Sequence, residues 1–241
     1  MSIKPSFEQP EYPMRINRYL AWKGYATRRA ADDLVARRKV TINGKPAELG
    51  SKVQAGDSVK VTGAKDARQY RYYAYYKPIG IMTGAAEGEG RDIMGTVVGL
   101  KGVFPLGRLD KASHGLMILT DDGRVTDRLL NPERAHEREY LVRVKGKLRS
   151  SFKAKMEKGV DIEGYVTKPC RVEIAGENTF RVTLTEGKKH QIQRMCVALF
   201  QEVADLKRVR IATVTLGKIG PNEYRPIEGA ELAAILGGLG L

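Results

Sequence analysis

Cysteine is scarce in this chain of 241 residues: only Cys170 and Cys196 occur, and they do not form a Cys-x-x-Cys pair. That excludes a disulfide framework and a zinc ribbon. Histidine is almost as rare, and His114, His136 and His190 share no ligand-like spacing, so no metal site is expected. No glycine-rich nucleotide loop is present, and no cofactor is expected. Long apolar runs are missing too. Gly115 to Thr120 and Ala233 to Leu236 are among the longest, far short of the about 20 residues of a spanning helix. The opening MSIKPSFEQPEYP has no apolar signal core. A soluble, cytoplasmic protein with no membrane partner is expected. No segment reads as a dimerisation element, and a monomer is expected.

Positive charge is abundant. Lys and Arg number 42 against 28 Asp and Glu, a formal net charge of +14. Such an excess attracts a polyanion, with nucleic acid the usual partner. Residues 1–13 carry three prolines among polar residues and read as a flexible tail. From Met14 the pattern becomes helical, with Ile16 and Leu20 on one face and Gly24 placed to end the helix. Thr27 is a suitable N-cap for a second helix running to about Arg38. Val40 and Ile42 alternate before an Asn43-Gly44 turn, and Val59 and Val61 mark a further strand. Met14 to Thr62 holds eleven Lys and Arg against four Asp and Glu. Arg15, Arg18, Lys23, Arg28, Arg29, Arg37, Arg38 and Lys39 make a cluster of one sign, which predicts an RNA-phosphate surface rather than a mixed solvated face.

The segment RINRYLAWKGYATRRAADDLVARRKVTINGKPAELGSKVQAGDSVKV resembles the S4 RNA-binding domain. The resemblance implies a helix pair that grips structured RNA through its backbone. The expected organisation is an S4-like domain at 14–62, a polar linker at 63–70 and a larger domain at 71–241. Gly84 to Gly90, rich in glycine and glutamate, predicts a mobile loop. Beyond it, strands are expected at 103–106, 115–120, 138–145, 170–175, 179–185 and 211–215. Helices are expected at 123–130, 150–158, 188–200 and 228–236. No βαβ rhythm appears, so the fold class is α+β, with a mostly antiparallel mixed sheet flanked by helices.

Three segments of the larger domain carry candidate chemistry. In VFPLGRLDKASHGLMILTDDG, Asp110 lies between two strand-like stretches, where it would face a cleft. In EREYLVRVKG, Tyr140 sits on an alternating strand and offers a flat ring to a nucleobase. In TLTEGKKHQIQRMCVALF, a helix expected from about Lys188 carries Ile192, Met195, Cys196 and Leu199 on one face. Lys188, Lys189 and Arg194 lie along or beside its start. Cations there oppose the helix dipole, which is tolerable where an anion is to be held.

Together these segments, with YYKPIG at 75–80, resemble the pseudouridine synthase family, in its branch with an N-terminal S4 domain acting on bacterial ribosomal RNA. TKPCRV and LKRVRI lean toward the subgroup that modifies large-subunit RNA. The resemblance implies isomerisation of a flipped-out uridine without a cofactor: the N1–C1′ bond breaks, the base turns, and C5 joins C1′. It assigns Asp110 as the catalytic carboxylate, Tyr140 as the ring packed on the uracil, and Lys188 as the basic partner of the aspartate. Arg108, beside that aspartate, is a candidate to fill the gap left by the base or to bind a phosphate. The family usually has two basic residues before the methionine; here Gln193 precedes Arg194. A non-catalytic S4-type ribosome-associated factor would account for the charge but not for Asp110, Tyr140 and Lys188 together. A DNA-binding helix-turn-helix over 14–39 would leave the strands after the second helix unexplained.

Overall fold

The computed structural model describes residues 12–63, 69–84 and 99–241. The tail up to position 11, most of the linker, and the glycine–glutamate loop from position 85 lie outside the described residues.

The N-terminal unit opens with β1 (Met14–Arg15), α1 (Ile16–Trp22) and α2 (Arg28–Ala36). Ile16 and Leu20 on α1 meet Ala31 and Val35 on α2, with Val40 and Val53 closing a small core. Gly24, at φ +79, ends α1, and its position lets Tyr25 N–H bond back to the Leu20 carbonyl at 2.9 Å. The Thr27 hydroxyl accepts from Ala30 N–H at 3.3 Å and starts α2, as the sequence predicts. β2 (Val40–Ile42) and β3 (Lys45–Pro46) are joined by Asn43-Gly44, both with positive φ. β4 (Lys52–Val53) pairs with β1, and β5 (Val59–Val61) pairs with β2. The Tyr70 hydroxyl ties this unit to the next by donating to the Gly24 carbonyl at 2.8 Å. The Arg124 guanidinium covers the Tyr70 ring at 4.4 Å, itself clamped by the buried Asp122 carboxylate.

The larger unit is built on a mixed sheet. Its path uses β6 (Tyr72–Lys77), β8 (His114–Thr120), β9 (Arg138–Val144), β10 (Arg171–Gly176), β11 (Thr179–Leu184), β12 (Val203–Ile211) and β14 (Tyr224–Pro226). The order is β10-β11-β9-β12-β8-β6-β14; β7 (Phe104–Leu106) pairs with β8, and β13 (Val214–Thr215) with β12. Every pairing is antiparallel except β8 with β12. The helices are α3 (Arg124–Leu130), α4 (Phe152–Glu157), α5 (Gln191–Ala198) and α6 (Gly229–Leu239).

β8 is covered on both faces, which is why HGLMILT reads as one apolar run rather than an alternation. Leu116 and Ile118 face a core under α3 and α6. Met117 and Leu119 join Tyr75, Val103 and Leu109 on the other face. A third core gathers Phe152 and Met156 of α4 with Ile192, Met195 and Cys196 of α5 over β9 and β11. The parallel pair β8–β12 requires a glycine. A Cβ at Gly115 would lie 2.3 Å from the Arg208 carbonyl oxygen, and its φ is +105. That close approach places the start of β8, and Asp110 before it, beside the middle of β12.

Two expectations need correction. The strand expected at 211–215 is the turn of a hairpin: β12 begins at Val203, and β13 is its return. The charges of LKRVRI conceal the strand, because Arg208 is buried by turning its guanidinium onto backbone. The helix expected from Lys188 begins at Gln191. Residues 187–190 form a turn that ends in His190 at φ +49, ψ +37, so the two lysines precede the helix.

Candidate active site

Asp110 sits in a tight turn in which Ser113 N–H bonds to its carbonyl at 3.0 Å. The backbone on either side is clamped. The Thr83 hydroxyl bridges both backbone groups of Leu109, donating to O at 3.0 Å and accepting from N at 3.3 Å. Gly80 N–H bonds to the Lys111 carbonyl at 2.8 Å. Lys77, 0% exposed at the end of β6, donates its ammonium to the Ser113 carbonyl at 2.7 Å and the Pro78 carbonyl at 2.9 Å. Arg208, 3% exposed, donates to the Leu116 carbonyl at 2.7 Å and reaches the Arg108 carbonyl at 3.4 Å.

Of these clamps, Lys77 is near enough to Asp110 for the two charges to interact. Burial pushes the Lys77 ammonium down to about 8; Arg208 adds to that, and the negative charge of Asp110 opposes it. Burial also lowers Arg138 at the start of β9, with Tyr140 opposing and Arg208 adding.

The Asp110 side chain, 39% exposed, lines a cavity of about 730 Å³. His190, Gln193 and Arg194 form one wall, and Asp161 and Glu163 another. Asp110 Oδ2 lies 3.5 Å from Gln193 Nε2, and Oδ1 lies 3.5 Å from His190 Nε2. Arg194 is anchored in its wall by the Ile162 carbonyl at 2.6 Å and Glu163 Oε2 at 2.8 Å. Tyr140, half-buried on β9, packs against the cluster that contains Leu109 but does not line this cavity.

Lys188 makes no ion pair with Asp110 among the described residues; its ammonium lies 4.3 Å from the centre of the Tyr165 ring. In this structure His190 and Gln193, rather than Lys188, face the carboxylate. The cause is the turn before α5. Glu186 is buried and accepts from the Tyr165 hydroxyl (2.6 Å), Lys168 N–H (2.9 Å) and Gln191 Nε2 (2.8 Å). Burial works to raise its carboxyl, and these donors outweigh it, leaving the pKa below its ordinary value. Gln191 Oε1 accepts from Lys188 N–H at 2.9 Å, closing the turn. Lys188 and Lys189 are exposed beside it, and Arg108 is exposed beside Asp110.

Arg15, Arg18, Lys23, Arg28, Arg29, Arg37, Arg38 and Lys39 are all exposed, and none is held in an ion pair among the described residues. They form a basic surface separate from the cavity. Sequence reasoning missed Lys77, His190 and Arg208. For Lys77 a signal existed: it closes the strand of the YYKPIG motif, where the following Pro-Ile-Gly turn leaves carbonyls to be satisfied.

Comparison with known proteins identifies the family. Residues 71–198 match the family model described as RNA pseudouridylate synthase, and residues 14–59 match the S4 domain. The dual-specificity RNA pseudouridine synthase RluF of Escherichia coli K12 is 39% identical, over 92% of this chain and 78% of that protein. The ribosomal large subunit pseudouridine synthase B of Bacillus subtilis is 31% identical, over 90% of this chain and 93% of that protein. A solved pseudouridylate synthase superposes with a TM-score of 0.69 at 27% identity, covering 92% of this chain and 99% of its own. The chain belongs to the RNA pseudouridine synthase family and is an RNA-modifying isomerase with an N-terminal S4 domain.

Proposed function

We propose that this enzyme isomerises a uridine of ribosomal RNA, in the large subunit, with Asp110 as the catalytic carboxylate. The observation that carries the reading is that Asp110, in a turn braced by buried Lys77, lines a cavity of about 730 Å³. A base extruded from RNA costs a few kcal/mol to unstack. The exposed basic face of α1 and α2 supplies phosphate contacts against that cost. Arg108, Lys189 and Arg194 extend phosphate binding around the cavity.

In this reading the carboxylate meets the sugar of the flipped uridine, either at C1′ or at a ribose proton. Tyr140, which lies outside the cavity against the apolar cluster of Leu109, is assigned to pack on the uracil once the base is flipped out. Large-subunit RNA is favoured by the segments TKPCRV and LKRVRI and by the name of the Bacillus subtilis relative. The name of the Escherichia coli relative makes a second RNA class worth including in the assay. We assign 14–62 to RNA binding, 71–241 to catalysis, and a monomer in the cytoplasm as the working form.

The test is tritium release from C5-labelled uridine, with ribosomal and transfer RNA from a strain lacking the enzyme as substrates. Release from large-subunit RNA is expected. Release from transfer RNA alone would overturn the substrate assignment, and none from either would leave the non-catalytic RNA-binding factor as the better reading. Arg28→Glu with Arg29→Glu should weaken binding and flatten its salt dependence by about one to two logarithmic units per decade of salt. Unchanged binding would remove the S4 surface from substrate capture.

A further inference from the structure

Among the described residues, no permanently charged side chain makes an ion pair with Asp110 within 4.0 Å; the one charged-partner contact is His190 Nε2 at 3.5 Å from Oδ1. The other oxygen faces the neutral amide of Gln193 at 3.5 Å. Lys77 acts on Asp110 through charge, but its ammonium donates to the Pro78 and Ser113 carbonyls. Among the described residues, the groups that face the carboxylate are thus an imidazole and a neutral amide.

His190 is also held in place deliberately. Its backbone is left-handed, with φ +49 and ψ +37, a conformation that is strained for a non-glycine residue. The surrounding bonds impose it. Gln191 N–H bonds to the Lys188 carbonyl at 3.1 Å, and Arg194 N–H to the His190 carbonyl at 3.0 Å. Gln191 itself is 4% exposed and fastened through its side chain to Lys188 N–H and Glu186. A straight helical start would carry the ring along α5; the left-handed residue turns it toward the Asp110 side of the cavity.

We propose that His190 is a positioning residue: as the imidazolium it holds the Asp110 carboxylate in its reactive orientation, so that turnover follows the protonation of this ring. The proposal rests on Asp110 being the catalytic carboxylate. In the protonated ring both nitrogens donate, and the 3.5 Å approach tightens to an ion pair when RNA closes the cavity to water. In the neutral ring the ion pair is gone and the Gln193 amide alone remains. Other charges share the surroundings of the ring. Lys111 comes from the turn after Asp110, and Asp161 and Glu163 from the opposite wall. Lys188 and Lys189 lie on the same turn, and Arg194 lies on α5 with its charge engaged by Glu163.

The test is the single-turnover rate of tritium release at saturating RNA, measured from roughly pH 6 to 8.5, where an ordinary histidine loses its proton. The wild-type rate is expected to fall with rising pH by roughly ten- to a hundredfold, the size of a misplaced reacting group. His190→Asn, chosen because asparagine tolerates the left-handed backbone, should run flat at the slow rate with RNA affinity unchanged. His190→Arg should run flat and fast. A wild-type rate that does not fall across this window overturns the proposal, as does a His190→Asn rate equal to wild type at low pH or a loss confined to RNA affinity. Asp110→Asn run alongside separates the two readings. If it is inactive while His190→Asn behaves as wild type, only the role of His190 is lost; if it is active, the assignment of Asp110 is lost as well.

Discussion

Replacing Lys77 by methionine should damage turnover far more than folding. The substitution keeps the shape of the side chain and removes its ammonium from the Ser113 and Pro78 carbonyls, 2.7 and 2.9 Å away. Leaving two buried acceptors unpaired costs about 1–3 kcal/mol each. The wild-type protein, however, already carries a penalty for burying that charge. Holding the group at about 8 instead of 10.5 corresponds to about 3 kcal/mol at neutral pH. The two effects nearly cancel, so the net loss is expected at about 0–3 kcal/mol, a fall in Tm of less than about 10 °C for a chain of this size. The unfolded chain binds the extra proton between pH 8 and 10.5, so wild-type stability should rise across that window; the Lys77→Met curve should not. Activity has no such compensation. The brace on the Asp110 turn and the charge beneath it are both gone, and single-turnover tritium release should fall about a hundredfold. Thermal unfolding and single-turnover kinetics on the same preparation decide the matter. A folded Lys77→Met protein with the wild-type rate would refute the reasoning, and so would one too unstable to fold.

Gly115→Ala should be among the most damaging single changes, at about 4 kcal/mol or more, because the new Cβ would lie 2.3 Å from the Arg208 carbonyl oxygen at a φ of +105; urea unfolding within 1 kcal/mol of wild type would mean that β8 and β12 separate easily, about the resolution of the experiment. Glu186→Gln removes a carboxylate held below its ordinary pKa by the donors of Tyr165, Lys168 and Gln191 against the effect of burial. Its stabilisation is full above the unfolded carboxyl value and lost as pH falls through the lower folded value. The gap between wild type and variant should be about 2 kcal/mol at neutral pH and close in acid; a gap independent of pH would contradict this.

Where burial follows a simple period, the fold was legible in the sequence. The apolar run of β8, the Thr27 cap and the Asn43-Gly44 turn each appear where residue type and spacing predict them. The sequence pattern predicts only the end of β12, because Lys207 and Arg208 interrupt it and hydropathy does not register a guanidinium turned onto the Leu116 carbonyl. The sequence singles out Asp110 but not the residues that the structure sets around it. Lys188 fits a sequence argument for a cation near the helix start, yet the helix begins three residues later, because the Gln191 side chain closes a turn that a propensity argument cannot see. Lys77 carries a charge that normally lies in solvent. Only the three-dimensional placement of the Ser113 and Pro78 carbonyls explains its burial. His190 stood out in the sequence only as a histidine without ligand spacing; its importance arises from a left-handed φ, which sequence alone does not display.

The most direct measurement is tritium release by Asp110→Asn, with RNA binding measured on the same protein. Asparagine keeps the size of residue 110 while removing the negative charge that acts on Lys77. The expected result is no detectable release with RNA affinity within about twofold of wild type, since the exposed basic surface of α1 and α2 is untouched. Release at the wild-type rate would contradict the assignment of the chemistry to this carboxylate.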